Sequence, residues 1–177
     1  MSEHLAAELG KLLESWEKDS RPMESERLAQ FAEAIAKGFG VKPDEVAILT
    51  LTRKDKFLKF LVPEKLQAVG TIPLTSTQAL AARTARDKRA ELANNFATAR
   101  HATVFEGVPL GRRHDEPIQK IMSAPILADE RVLGVVQISR KGRTQVGAGP
   151  DFSQQHLRTL MDITHLLARF IRLCEAS

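Results

Sequence analysis

The residues able to do chemistry are mostly scattered along this chain, and the densest group is Arg112-Arg113-His114-Asp115-Glu116. Guanidinium groups grip carboxylates or phosphates through paired hydrogen bonds, so Arg112 and Arg113 are the candidates for holding an anion. His101 and His114 flank the same stretch, and His is the side chain that changes charge near neutral pH. Asp115 and Glu116 are adjacent carboxylates on a stretch without periodicity, a setting in which such groups are solvated rather than engaged in acid-base work. The histidines at 4, 101, 114, 156 and 165 show no metal-motif spacing. Cys174 is the one cysteine, which allows neither an internal disulfide nor a multi-thiol metal site and fits a reducing cytoplasm. Ser123 has no nucleophile elbow around it, and no phosphate-binding glycine motif is present. Ser123 therefore reads as a packed or ligand-facing hydroxyl, and the chain as a non-enzyme.

Composition narrows the partners. A length of 177 residues with 43% hydrophobic residues fills one core, and the 27% charged residues form no long like-charged block. The net charge of +4 would suit nucleic acid, but the basic residues are interleaved with acidic ones and followed by no helix-turn-helix, zinc finger or aromatic platform. No apolar run reaches the roughly 18 residues of a membrane span, and no leader pattern opens the chain. The expectation is a cytoplasmic domain without a membrane or nucleic-acid partner.

The elements that must position these residues follow from periodicity. Residues 3–18 place Leu5, Leu9, Leu12, Leu13 and Trp16 on one helical stripe, and a second helix carries Leu28, Phe31, Ala32, Ile35 and Phe39 before stopping at Gly38 and Gly40. Residues 45–52 and 56–62 read as an antiparallel hairpin, 69–74 as a weaker extended piece, and 76–86 as a helix capped by Ser76. From 90 to 117 no period survives, and long ordered loops in compact domains are usually functional. Residues 120–127 and 131–139 form the strongest hairpin, expected near the centre of the sheet. After a glycine-containing loop, Ser153 caps a last helix running to about Cys174, with Phe152 and Leu157 as a hydrophobic staple.

The run Ser123-Ala124-Pro125-Ile126-Leu127, a short turn, Val132-Leu133-Gly134-Val135-Val136-Gln137-Ile138, then Asp151-Phe152 and a long apolar helix resembles the GAF family of small-molecule sensor domains. Gly134 would let its strand pass close under a neighbouring element, and Pro125 suits the start of a turn. The resemblance implies an α/β (α+β) fold, a central antiparallel sheet with helices packed on one face and long N- and C-terminal helices. The chain divides on this reading into a helical segment, 1–40, and a sensor domain, 41–177. Departures from the family's branches are informative. Cyclic-nucleotide binders carry an Asn-Lys pair after the last strand, then a Phe and an Asp-Glu pair; Arg140-Lys141, Phe152 and Gln155-His156 stand in those places. Tetrapyrrole-binding and methionine-sulfoxide-reducing members use loop cysteines, which the 90–117 stretch lacks.

The resemblance implies a signalling domain that binds a small ligand of unassigned identity and acts on a separate partner protein, and Arg112 and Arg113 point to an anionic one. Phe96, His101, Phe105, Arg112, Arg113, Met122 and Ser123 are the expected ligand contacts, with the arginines on the anionic group and Phe96, Phe105 and Met122 as apolar walls. The sequence leaves any cofactor unassigned. The alternative is a ligand-free interaction module that keeps the fold for dimerisation. In either case a homodimer is expected, because the final helix is apolar nearly all round: Leu166, Phe170 and Leu173 would meet Leu9, Leu13 and Trp16 of the opening helix across an interface.

Overall fold

The computed structural model describes residues 2–19, 21–52, 54–98 and 116–175. Six antiparallel strands, β1 (Val46–Leu51), β2 (Phe57–Val62), β3 (Thr71–Pro73), β4 (Glu91–Ala93), β5 (Ile118–Ala128) and β6 (Arg131–Lys141), form one sheet in the order β3-β2-β1-β6-β5-β4. Both hairpin turns use an Asp at positive φ, Asp55 (52°) and Asp129 (56°), a conformation that short polar side chains tolerate. The long 118–141 hairpin makes β6 central, as its apolar run requires. Pro125 lies inside β5 opposite Val135 rather than starting a turn. Since β4 begins opposite Ser123 and runs away from Pro125, β5 has no second neighbour at Pro125 among the described residues, and a missing N–H is tolerated at such an edge. Gly134 meets its expectation of close approach: a Cβ there would lie 2.0 Å from the Leu49 carbonyl oxygen and 3.0 Å from Ile171 Cδ1.

Among the described residues four of the five helices, α1 (Ser2–Lys18), α2 (Ser25–Phe39), α4 (Gln154–Asp162) and α5 (Thr164–Glu175), share one core with one face of the sheet, while α3 (Leu80–Asp87) packs on the other. The opening helix folds back on the chain's own final helix. Leu9 and Leu13 are fully buried, Trp16 and Leu166 are buried, and Leu173 packs on the same core. Phe170 stacks on Phe31 with ring centroids 4.1 Å apart, and Arg169 pairs with Glu17 across α5 and α1. The surface expected to bind a second copy is thus closed within one chain. Gly38 permits it by sitting inside α2, where a Cβ would come within 2.8 Å of Leu5 Cδ2. The stop is Gly40, left-handed at φ 66°, followed by a Val41 N–H donated back to Ala36 O at 3.0 Å. Between α1 and α2, Asp19 accepts from both Arg21 and Arg27, and the Arg21 guanidinium holds its carboxyl well below the usual carboxylate range.

Two helix ends differ from expectation. Ser76 Oγ accepts from the backbone of Gln78 and Ala79, closing a turn ahead of α3 rather than capping its first residue. The final helix is two helices, broken at Ile163, where Leu166 N–H bonds Ile163 O at 3.0 Å and Thr164 Oγ1 takes the Met161 carbonyl at 2.8 Å. A Thr hydroxyl competing for a helix carbonyl is a recognised cause of such breaks. Ser153 caps α4 as expected, and His156 Nδ1 accepts the Ser153 N–H in return at 2.9 Å. No helix among the described residues is long and apolar enough to cross a membrane.

Candidate ligand-binding face

Alternation along β5 and β6 sends successive side chains to opposite faces. Met122, Ala124, Ile126, Val136 and Ile138 join the core of α1, α2, α4 and α5, whereas Ile121, Ser123, Val135, Gln137 and Ser139 belong to the opposite face, toward α3. Two apolar clusters occupy that second face: one of Leu49, Leu58, Phe60, Ile72, Val135 and the alanines of α3, the other of Leu80, Phe96 and Ile121. Between them runs a buried polar row. Thr84 donates to the Leu80 carbonyl at 2.9 Å, so in its 2.7 Å contact with Ser123 the serine hydroxyl donates and the threonine accepts. Gln137 Nε2 donates to Ser123 Oγ at 3.3 Å, which completes a chain of hydrogen bonds from β6 through β5 into α3.

The row continues toward the sheet's end. Ser139 Oγ donates to Glu45 O at 3.3 Å, and the buried Glu45 carboxylate accepts from Lys42 N at 2.8 Å and Lys141 N at 2.6 Å. Arg83 of α3 grips Glu91 of β4 with two hydrogen bonds of 2.9 and 2.7 Å, fixing the helix over the sheet edge. Asn94, just past β4, exchanges both amide hydrogen bonds with the Phe152 backbone, at 3.0 and 2.9 Å, and so ties this face to the entry of α4.

Of the residues expected to contact ligand, Ser123 and Phe96 stand on this second face, both buried. Met122 does not join them: it is fully buried on the helical face, one strand position from Ser123 and therefore on the opposite side. His101, Phe105, Arg112 and Arg113 lie outside the described residues. The chain enters that segment from the short 3₁₀ turn Phe96–Thr98 and is described again from Glu116, with Pro117 O accepting from Gly142 N at 3.1 Å. Inside the stretch expected to be irregular, β4 and this turn are ordered elements. Gln137, Thr84, Glu45 and Asn94 were not singled out from sequence. Gln137 had a legible signal, a polar side chain inside an otherwise apolar central strand.

Arg140, Lys141 and Phe152 are engaged within the chain. Arg140 donates to Gly40 O at 2.9 Å and Phe39 O at 3.3 Å, capping α2, and lies 4.8 Å over the Phe152 ring; burial lowers its pKa against the pull of Glu45. Lys141 donates to Asp44 O at 3.1 Å. Lys120, nearly buried, bonds Gly149 O at 2.6 Å and Asp151 at 2.8 Å. No group of three or more His, Cys, Asp or Glu among the described residues could hold a metal ion.

The family model for the GAF domain matches residues 24–171. No curated protein matches the chain. Among solved structures, the GAF domain of an Acinetobacter phosphoenolpyruvate-protein phosphotransferase is similar with a TM-score of 0.69 at 14% identity, over 99% of this chain and 96% of that one. Residues 122 to 287 of a methyl-accepting chemotaxis protein align with a TM-score of 0.65 at 14% identity, over 92% and 96%. A free methionine-R-sulfoxide reductase from Neisseria meningitidis, in complex with its substrate, aligns with a TM-score of 0.57 at 15% identity, over 97% and 91%. At such identities the likeness is one of fold.

Proposed function

The chain belongs to the GAF domain family, and from that membership we propose that it is a non-catalytic signalling domain that takes a small anionic ligand on its second sheet face and acts on a separate partner protein. The observation that carries this reading is the buried polar row Thr84, Ser123, Gln137 and Ser139, on a face where packing alone selects apolar side chains. A ligand's polar groups find donors and acceptors there already desolvated and held in place. The segment 99–115 falls in the chain between β4 and β5, and it carries His101, Phe105, Arg112 and Arg113. On this reading the arginines grip the anionic group, Phe96 and Phe105 provide apolar contact, and Ser123 meets a polar group from the floor. Likeness to part of a methyl-accepting chemotaxis protein is in keeping with a signalling role. Catalysis is not part of the proposal, because the Ser123 hydroxyl is engaged by Thr84 and Gln137 and not by a base. Self-association through α1 and α5 is not part of it either, since their apolar residues are buried within the chain.

Calorimetry with small carboxylates and phosphates tests the reading. Replacing both Arg112 and Arg113 by Ala is expected to weaken the best binder at least tenfold, about 1.4 kcal/mol. Unchanged affinity would mean that the two arginines are solvated charges with no part in binding. The second reading, a ligand-free interaction module, is favoured by one specific feature: the chain Gln137 to Ser123 to Thr84 to Leu80 O is internally satisfied. Native mass measurement separates the two. A copurified small molecule supports the sensor, whereas a bare mass with no thermal shift from any anion supports the module.

A further inference from the structure

We infer that a second small-molecule site, for a zwitterion bearing a free ammonium and a free carboxylate, lies beyond the end of α5 on the helical side of the sheet. A cavity of about 730 Å³ opens there between the tips of the β1–β2 and β5–β6 hairpins and the last turn of α5. Its size is within the range of small-molecule pockets. Thr52 Oγ1, at its edge, is buried without a hydrogen-bond partner, and a native structure leaves few such groups unanswered.

Charge identifies the class of occupant. Lys59 and Arg131 line the cavity from β2 and β6, and Asp55 and Glu175 line it from the first hairpin and α5. Among the described residues Lys59, Arg131 and Asp55 form no ion pair. A simple anion would be repelled by the two carboxylates and a simple cation by the two basic groups, whereas a zwitterion satisfies both pairs. Its polarity is set by α5, whose last carbonyls have no intrahelical donor and form the negative end of the helix dipole. The ammonium therefore belongs beside Glu175, which Thr50 Oγ1 approaches to 3.4 Å, and the carboxylate toward Arg131, Lys59 and the Thr52 hydroxyl. Leu61 and Leu133 supply apolar wall for an aliphatic body. An extended dipeptide, roughly 7 Å long, matches a zwitterion with separated charges. The site does not rest on the ligand proposed for the second face, since Thr50 and Lys59 pair beside Gly134, under α5.

The probe is leucyl-leucine, titrated into the full chain and followed by calorimetry and backbone amide NMR. The expected result is binding with shifts at Thr52, Leu133 and Glu175, and at least tenfold weaker binding of both N-acetyl-leucyl-leucine and leucyl-leucinamide. Arg131→Ala and Glu175→Gln, both at exposed positions, should each weaken leucyl-leucine at least tenfold. Thr52→Val should weaken it while leaving the ligand-free protein at least as stable, because an unanswered buried hydroxyl is removed. No binding at millimolar peptide, affinity unchanged in both charge variants, or shifts confined to Ser123 and Gln137 would overturn the assignment.

Discussion

The two faces of the sheet are built from the same strands and end in opposite states. On the helical face Val136 and Ile138 of β6 meet Met122 and Ala124 of β5 beneath α1, α2 and α5, and every one of these side chains is buried among apolar neighbours. One position along, Gln137 and Ser139 meet Ser123 and Ile121 beneath α3, a helix of only eight residues rich in alanine. A small-residue helix can approach a sheet closely but covers little of it, and Thr84 of this helix bonds Ser123 of the polar row. The helical face thus holds the fold together, and the second face gives up apolar packing for positioned hydrogen bonds. Such a departure from core rules, confined to one face, marks where specificity rather than stability is at work.

The sharpest way to break this comparison is at Phe170. It is fully buried and stacked on Phe31, so Phe170→Ala should lose about 3–5 kcal/mol of stability, read from urea denaturation. Phe170→Glu should fail to fold, since a lone carboxylate cannot be accommodated there. A folded Phe170→Glu protein that sediments at half the wild-type mass would instead put this residue at an interface between copies.

A smaller effect is expected on the second face. Ser123→Ala leaves Gln137 Nε2 and Thr84 Oγ1 without their common partner, at a loss of about 1–3 kcal/mol. Thr84→Val removes the acceptor at the other end. If the row acts as one chain of hydrogen bonds, the double variant loses less than the sum of the singles, by at least about 0.5 kcal/mol. Strict additivity would mean that Thr84, Ser123 and Gln137 are neighbours that do not act as one chain.

The elements that build both faces are legible in the sequence. The helices and hairpins followed from period, and Gly134 from its place in a run that must pass under a neighbour. What was not readable depended on distance in space. The stripe Leu9, Leu13 and Trp16 has the same pattern whether it covers the chain's own α5 or a second copy's, and the choice shows only in space, where the stripe is buried in one core with Leu166 and Phe170 and Glu17 pairs with Arg169. Met122 groups with Ser123 in the sequence because both belong to one segment, although strand alternation alone puts neighbours on opposite faces. Thr84 and Ser123 are 39 positions apart, and no local signal links them. Pro125 reads as a turn because its ring bars a ladder donor, yet at a strand edge none is needed.

The least disturbance is expected at Cys174, where the helical face runs out. Burial, with Glu175 beside it, pushes its thiol up to about 12 from an ordinary value of 9.0. At neutral pH the thiol is protonated in both folded and unfolded chains, so Cys174→Ala should change little there. Between pH 9.0 and about 12 the unfolded chain gives up this proton while the folded chain keeps it. The folded state then binds more protons than the unfolded one, and stability falls as pH rises through that window. Other groups titrate there too, so the informative quantity is the difference between wild type and Cys174→Ala in urea midpoint as pH increases. The wild type should lose stability more steeply, and its thiol should react with iodoacetamide more slowly than free cysteine at mildly alkaline pH. Parallel curves together with rapid alkylation would mean that the cavity beside the last turn of α5 admits water to the thiol itself, and that burial does not hold it protonated.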